Sequence, residues 1–195
     1  MGKAKIVQSW GELIRKMTTK IISRKEIIVS PWVNILEKEV CFPHLEEIQK
    51  YHCLSVADYI VILAKTPTGL IPIVQQFRPA VEAFTWEFPA GLIEKGEDPK
   101  DACIRELREE TGLLATKVDF IGSFFPDTGR LANRQLVFIA ETGGPENDFI
   151  PEPGMEVDYV SFEILKKYII GGKFIHQLHI AALFEFQLKF PDFLK

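Results

Sequence analysis

The stretch Gly91–Leu113, GLIEKGEDPKDACIRELREETGL, decides how this chain is read. It describes a loop feeding a short acidic helix. Asp98 is a natural N-cap, and Pro99 after it brings the fixed φ of a first helical residue and no backbone N–H to leave unpaired. The helix is expected to run to about Thr111, with Gly112 as its stop. Within it Glu106 stands three residues before Glu109 and four before Glu110, which gathers three carboxylates on one helix face. Ile104 and Leu107 are expected to face the core. Like charges at this spacing repel by roughly a few tenths of a kcal/mol per pair on an exposed helix. Arg105 and Arg108 offer one remedy, a solvated ion-pair network. The other is a hard divalent cation, which takes carboxylate, carbonyl and water oxygens.

The spacing across the whole stretch favours the cation. Gly91, five residues, Glu97, seven residues, then Arg105-Glu106-Leu107, one residue, Glu109-Glu110, one residue, Gly112-Leu113 resembles the signature of the Nudix hydrolases at every fixed position. The resemblance implies hydrolysis of the pyrophosphate bond in a nucleoside diphosphate linked to some other group. It also implies an α/β fold, an α/β/α sandwich on a mixed β-sheet, over roughly residues 55–190. Two to three Mg²⁺ or Mn²⁺ ions would be held by the carbonyl of Ala90 with Glu106 and Glu110, and with Glu109 beside or among them. Such cations neutralise the diphosphate and lower the pKa of bound water. Glu97 and Arg105 would then be structural parts of the catalytic apparatus, Arg105 tying the acidic loop to the helix. On the later loop PENDFIPEPGMEVD, Pro145–Asp158, the family leads us to seek a general base. Glu152 is preferred there, and Glu156 is the alternative at the start of a strand.

The flanks narrow the branch. QQFRPAVEAFTWEFPAG, Gln75–Gly91, and SPWVNILEKEV, Ser30–Val40, are similar to the corresponding segments of ADP-ribose and nucleoside diphosphate sugar pyrophosphatases. That similarity implies a homodimer in which N-terminal aromatics sandwich the base. Trp32 is the first choice and Tyr51 the second, since stacking on a base contributes about 1–3 kcal/mol. A core or interface tryptophan is the plainer reading of Trp32. Pro126 in SFFPDTG corresponds to a loop proline that accompanies ADP-ribose specificity. The following Asp127–Arg130 departs from that pattern and leaves GDP-mannose, other sugars and dinucleotides open. Arg78, at a strand end near the acidic stretch, is either a bidentate phosphate clamp or one half of an ion pair. Arg130 and Arg134 are weaker phosphate ligands. His176 and His179, neighbours on the last helix without an evident acidic partner, are expected to pack or cap. Two rival classes remain: a pyrophosphatase of dNTPs, dinucleotides or RNA caps, and a non-catalytic nucleotide-sensing module. The latter typically lacks carboxylates that are all present here.

The chain has 195 residues, 47% of them hydrophobic, enough for one domain with a substantial core and an extension. The expected division is 1–54, a helix and β-rich extension serving a dimer and base pocket, and 55–195, the hydrolase domain. A net charge of −4 gives no electrostatic case for a nucleic-acid partner. Three cysteines without ligand spacing fit a reducing cytoplasm, and no run is long enough to span a membrane. Residues 1–25 carry seven Lys/Arg against Glu12. With Ser9 and Glu12 at capping-box spacing and Trp10, Leu13, Ile14, Met17 and Ile21 at helical period, they read as an amphipathic helix rather than a transit segment. Strands are expected at 26–29, 32–42, 83–88, 118–125, 135–141 and 157–162. A long hairpin over 56–77 should turn at Thr66–Gly69, and a helix over 175–190 should close the chain.

Overall fold

A computed structural model describes residues 18–193 and divides the chain into two compact units. The first takes the chain up to Val56 together with Asp127–Ala132, and the second takes Ala57–Pro126 and Asn133 onwards.

In the first unit, β1 (Lys20–Ile28), β2 (Asn34–Cys41) and β3 (Gln49–Ser55) form an antiparallel sheet in that order. Ile21, Ile22, Ile27 and Ile28 are β-branched and suit a pleated strand. Ile21 therefore lies in β1 and not on the expected helix, whose remaining positions, Ser9 to Met17, fall outside the described residues. The Ser30 hydroxyl accepts the N–H groups of Trp32 and Val33, which fixes the turn around Pro31. The Asp127–Ala132 segment joins the edge of β3: Leu54 N–H donates to the Arg130 carbonyl at 2.8 Å, and Ala132 N–H donates to the Leu54 carbonyl at 2.9 Å. Val40 is the one buried side chain among the described residues of this unit.

The second unit contains β4 (Tyr59–Lys65), β5 (Ile71–Arg78), β6 (Ala83–Glu87), β7 (Ala90–Leu92), α1 (Pro99–Thr111), β8 (Leu113–Phe124), β9 (Gln135–Pro145), β10 (Glu156–Val160), α2 (Phe162–Ile170) and α3 (Gln177–Lys189). One sheet runs β7-β4-β9-β8, with β4 and β9 parallel and the other pairs antiparallel; the second is antiparallel and runs β10-β5-β6. β4 is buried on both faces, as its unbroken apolar run Ile60–Ala64 requires. Alternation along β4 and β9 then builds two cores. Ile60, Ile62, Phe138 and Ala140 meet Ala102, Cys103 and Leu107 of α1. Val61, Leu63, Val137 and Ile139 meet a second core that includes Leu165 of α2 and Leu183 and Phe186 of α3. The acidic helix and the terminal helices thus pack on opposite faces of the mixed sheet, which is the expected sandwich.

Four local expectations are corrected. Thr66–Gly69 does turn the chain, with Thr66 N–H donating to the Leu70 carbonyl, but β4 and β5 enter different sheets and form no long hairpin. Strand 157–162 ends at Val160, because the Ser161 hydroxyl caps Ile164 N–H and starts α2. β3 and β7 add strands that the composition did not signal. Ile104 is 39% exposed; Leu107 is buried as expected, and Ala102 and Cys103 dock α1 in place of Ile104.

Candidate active site

The acidic helix begins and ends as its sequence dictates. Asp98 accepts Lys100 N–H at 2.8 Å, Pro99 is the first helical residue, and Gly112 closes the helix at φ 68 with its N–H on the Arg108 carbonyl. Those limits fix which residues face β7. Glu110 is only 7% exposed and accepts the Ala90 N–H at 2.9 Å. Gly91, next in β7, lies directly beneath Glu106: any Cβ at this position would run into the Glu106 carboxyl. The glycine is required by close approach, and the approach brings the Ala90–Gly91 backbone against two carboxylates.

Arg105 organises the exposed side of this cluster. Its guanidinium grips Glu97 through two bonds of 2.8 and 2.9 Å, and reaches Glu106 at 2.7 Å, Glu109 at 3.1 Å and the Leu92 carbonyl at 3.2 Å. Glu97 also accepts the Glu94 N–H at 2.9 Å, so loop and helix are locked together. The Arg105 fork, helped by that N–H, holds the Glu97 carboxyl down at about 2. The inner pair behaves oppositely. Burial raises Glu106 despite its bonds to Arg105. Burial pushes Glu110 up to about 8 against the Ala90 N–H, with Glu106 and Glu152 adding to the rise and Arg78 opposing it. Glu152 is exposed on the loop before β10, and Glu156 is the first residue of that strand. The loop is attached to the end of α1 by Arg108, which grips Glu146 at 3.0 and 3.1 Å, by Glu146 N–H on the Gly112 carbonyl, and by Phe149 packed on Gly112.

A second polar group lies beside Ala90. Arg78, at the end of β5, spends its fork on Glu87 at 2.6 and 2.9 Å, and the Thr85 hydroxyl donates to the same carboxylate. Burial alone would raise Glu87, but these bonds outweigh it and hold the carboxylate ionised. Arg78 is therefore already half of an ion pair. His176 and His179 do have an acidic neighbour, contrary to the sequence reading, because their ring nitrogens and Glu87 lie within 4.8 Å of one another. This trio is a poor cation site: the guanidinium occupies the Glu87 oxygens, and His179 Nδ1 accepts the Phe88 N–H at 3.1 Å. Burial lowers both histidines, which keeps them neutral. Their rings stack at 3.9 Å, so packing describes them well, although the His176 side chain makes no cap on α3.

Trp32, Tyr51 and Arg130 belong to the first unit. Trp32 is 75% exposed among the described residues, and Tyr51 meets Phe42 edge-on. Arg130 bonds to its neighbour Gly129. Pro126 is half-buried just beyond β8, and Arg134 lies over the Phe125 ring and bonds the Ser123 hydroxyl. Sequence reasoning missed Glu87, Thr85 and Tyr59. The signal for the first two was present: residues alternate across a strand, and in AFTWE the pair Thr85 and Glu87 shares the buried face while Phe84 points out.

A cleft with two sunken carboxylates, one backbone N–H between them and an arginine-braced acidic rim defines a class of protein that handles cations and phosphates. The chain belongs to the Nudix family: the NUDIX domain matches residues 54–178. It is 32% identical to an ADP-ribose pyrophosphatase of Bacillus subtilis (strain 168), over 66% of this chain and 69% of the relative. It is 39% identical to a methanol dehydrogenase activator of Bacillus methanolicus, over 85% and 94% of the two chains, and 58% identical to a mouse ADP-sugar pyrophosphatase, over 42% and 38%. Among solved structures, one described as an ADP compounds hydrolase superposes with a TM-score of 0.71 at 14% identity, covering 89% of this chain and 95% of the other.

Proposed function

We propose that this protein hydrolyses the pyrophosphate bond of ADP-ribose or a closely related nucleoside diphosphate sugar, giving a nucleoside monophosphate and a sugar phosphate. The observation that carries the reading is Glu110, a buried carboxylate with one N–H donor and no cationic side chain among the described residues bonded to it, set against Glu106 and the backbone of Ala90. A buried carboxylate with no cation beside it is expensive, and hard oxygen donors are what Mg²⁺ or Mn²⁺ selects. Ala90, Glu106 and Glu110, with Glu109 at the rim, would hold the metal. Once bound, it would neutralise the diphosphate and acidify a water.

The chain's own groups supply the remainder. Gly91 lets the helix approach so that Glu106 and Glu110 stand together, and Arg105 keeps Glu97, Glu106 and Glu109 in one array. Glu152, close enough for its charge to be felt at Glu110, takes the proton from the attacking water. Trp32 supplies a base platform, with Tyr51 and Arg130 in the same unit and Pro126 shaping the loop that follows β8. A homodimer gives that platform its place, because Ile28, Trp32 and Ile48 lie in the open and Val40 is the one buried side chain among the described residues of this unit. Three free cysteines suit an enzyme of the reducing cytoplasm. None of the described helices is long and apolar enough to cross a membrane. The test is hydrolysis of ADP-ribose, GDP-mannose, UDP-glucose, NADH, diadenosine polyphosphates and dNTPs with Mg²⁺ and with Mn²⁺. Turnover confined to dNTPs or diadenosine polyphosphates, or no turnover at all, would reject the reading.

A further inference from the structure

His179 stands where the fold asks for an apolar side chain. It shares the buried stripe of α3 with Ala182, Leu183 and Phe186. The imidazole is 1% exposed and lies against the rings of Phe88 and Phe174, at centroid distances of 6.1 and 6.5 Å. Burying it costs the solvation of its ring nitrogens, a cost that leucine would avoid. In return the chain gains a bond between residues 91 positions apart: Nδ1 accepts the Phe88 N–H at 3.1 Å. An accepting Nδ1 puts the ring proton on Nε2. Burial lowers the ring well below its usual pKa, which keeps Nδ1 unprotonated and able to accept.

The bond falls at a sensitive point of the backbone. The ladder between β5 and β6 ends at the Val74–Glu87 pair, and Phe88 lies just past it with a buried N–H to satisfy. Glu87, on one side, is held by Arg78 and Thr85. On the other, the Pro89 carbonyl accepts the Ile62 N–H at 2.9 Å, and the Ala90 N–H donates to Glu110. Proline locks its own φ and restricts the residue before it, so little slack separates the Phe88 N–H from the Ala90 carbonyl. We propose that His179 is a positioning residue for hydrolysis: by holding the Phe88 N–H it fixes the Ala90 carbonyl where it can join Glu106 and Glu110 in ligating a cation. The inference rests on the metal-dependent reading above and adds to it a residue of α3, on the face of the mixed sheet opposite the acidic helix.

The experiment is calorimetric titration of the full chain with Mn²⁺. It compares the wild type with His179→Leu, which fills the site without an acceptor, and with His179→Asn, whose amide oxygen can replace Nδ1. Leu183→Ala, on the same buried stripe, is the control for lost stability, and melting temperatures are recorded throughout. Mn²⁺ affinity is expected to fall about tenfold in His179→Leu and to return to within about threefold of wild type in His179→Asn. Leu183→Ala should lower the melting temperature with Mn²⁺ affinity within about twofold of wild type. At saturating Mn²⁺, kcat of His179→Leu on ADP-ribose should fall about tenfold with KM within about threefold. A readout on the wild type alone stands even if His179→Leu does not fold: Mg²⁺ should shift the nitrogen NMR resonances of the Phe88 amide and of His179 Nδ1. Mn²⁺ affinity in His179→Leu no lower than in Leu183→Ala, no recovery in His179→Asn, or resonances indifferent to Mg²⁺ would each overturn the inference. The hydrolytic reading is judged apart, by Mn²⁺ binding and ADP-ribose turnover in the wild type. Both present with His179 indifferent rejects the positioning role alone, and no turnover on any nucleoside diphosphate sugar rejects the reading beneath it.

Discussion

Glu110 holds its proton more tightly in the folded chain than in the unfolded one, because burial lifts it from 4.5 to about 8. Its contribution to stability is therefore fully present below about pH 4.5 and is lost as the pH rises towards 8. A tenfold change in proton affinity is worth about 1.4 kcal/mol, so the loss is on the order of a few kcal/mol. Thermal melts of the metal-free chain are expected to fall across this window, and Glu110→Gln, whose side-chain oxygen still accepts the Ala90 N–H, should flatten the slope and raise stability at pH 8. Both Glu106→Gln and Glu110→Gln should lose hydrolysis while folding normally. Near-normal turnover of both at saturating Mg²⁺ would sink the metal assignment. Gly91→Ala is expected to displace the Glu106 carboxyl and weaken Mn²⁺ binding in a calorimetric titration, with melting temperature a secondary readout. These residues were legible because a fixed spacing on a helix determines who neighbours whom. The meeting of Glu87 with His176 and His179 was not, since the backbone brings them together from distant parts of the chain and nothing local in either segment announces the encounter.

At the scale of elements, α1 is the piece most completely written in the sequence. Asp98, Pro99 and Gly112 act within one turn of the residues they control, and the observed ends match them. Asp98→Ala should lower stability by about 1 kcal/mol, the usual worth of an N-cap. Turnover at saturating Mg²⁺ should change little, because Arg105 and Glu97 still clamp the loop. A loss of activity larger than the loss of stability would instead make the cap part of the catalytic positioning. The hairpin over 56–77 failed for a reason that operates at longer range. Thr66–Gly69 specifies a reversal, but β4 finds a parallel partner in β9 and β5 finds β6 and β10, and pairing across such distances leaves no mark at the turn. α2 was hidden because Phe162–Ile170 spans only nine residues, too short a window for a helical period to stand out.

For the whole molecule, the N-terminal sheet bears on assembly: among the described residues of the first unit Val40 alone is buried. Among the described residues of the first unit, Ile28, Val29, Trp32 and Ile48 are all more than half exposed, and a three-stranded sheet needs its apolar side chains covered to be stable in water. A dimer that covers them is expected, and light scattering at micromolar concentration should give twice the chain mass; a fully active monomer would refute it. Trp32→Ala separates the two uses of that surface. If Trp32 stacks on a purine, KM should rise far more than kcat falls, more for ADP-ribose than for a UDP-sugar. If it serves only the interface, every substrate should suffer alike and the dimer should weaken.

The six residues Asp127–Ala132 leave the second unit, border β3 beside Leu54, and return. The first unit is therefore discontinuous in sequence, and its last strand partner reaches the ribosome exit long after β1–β3 have emerged. Closing so long a loop carries an entropic penalty, and contacts of this separation form late. During synthesis the N-terminal sheet would wait with an unpaired edge and exposed isoleucines until most of the hydrolase domain had been made. That interval, rather than the finished fold, is where this chain is most exposed to aggregation, and a chaperone that shields nascent β edges would act on it there.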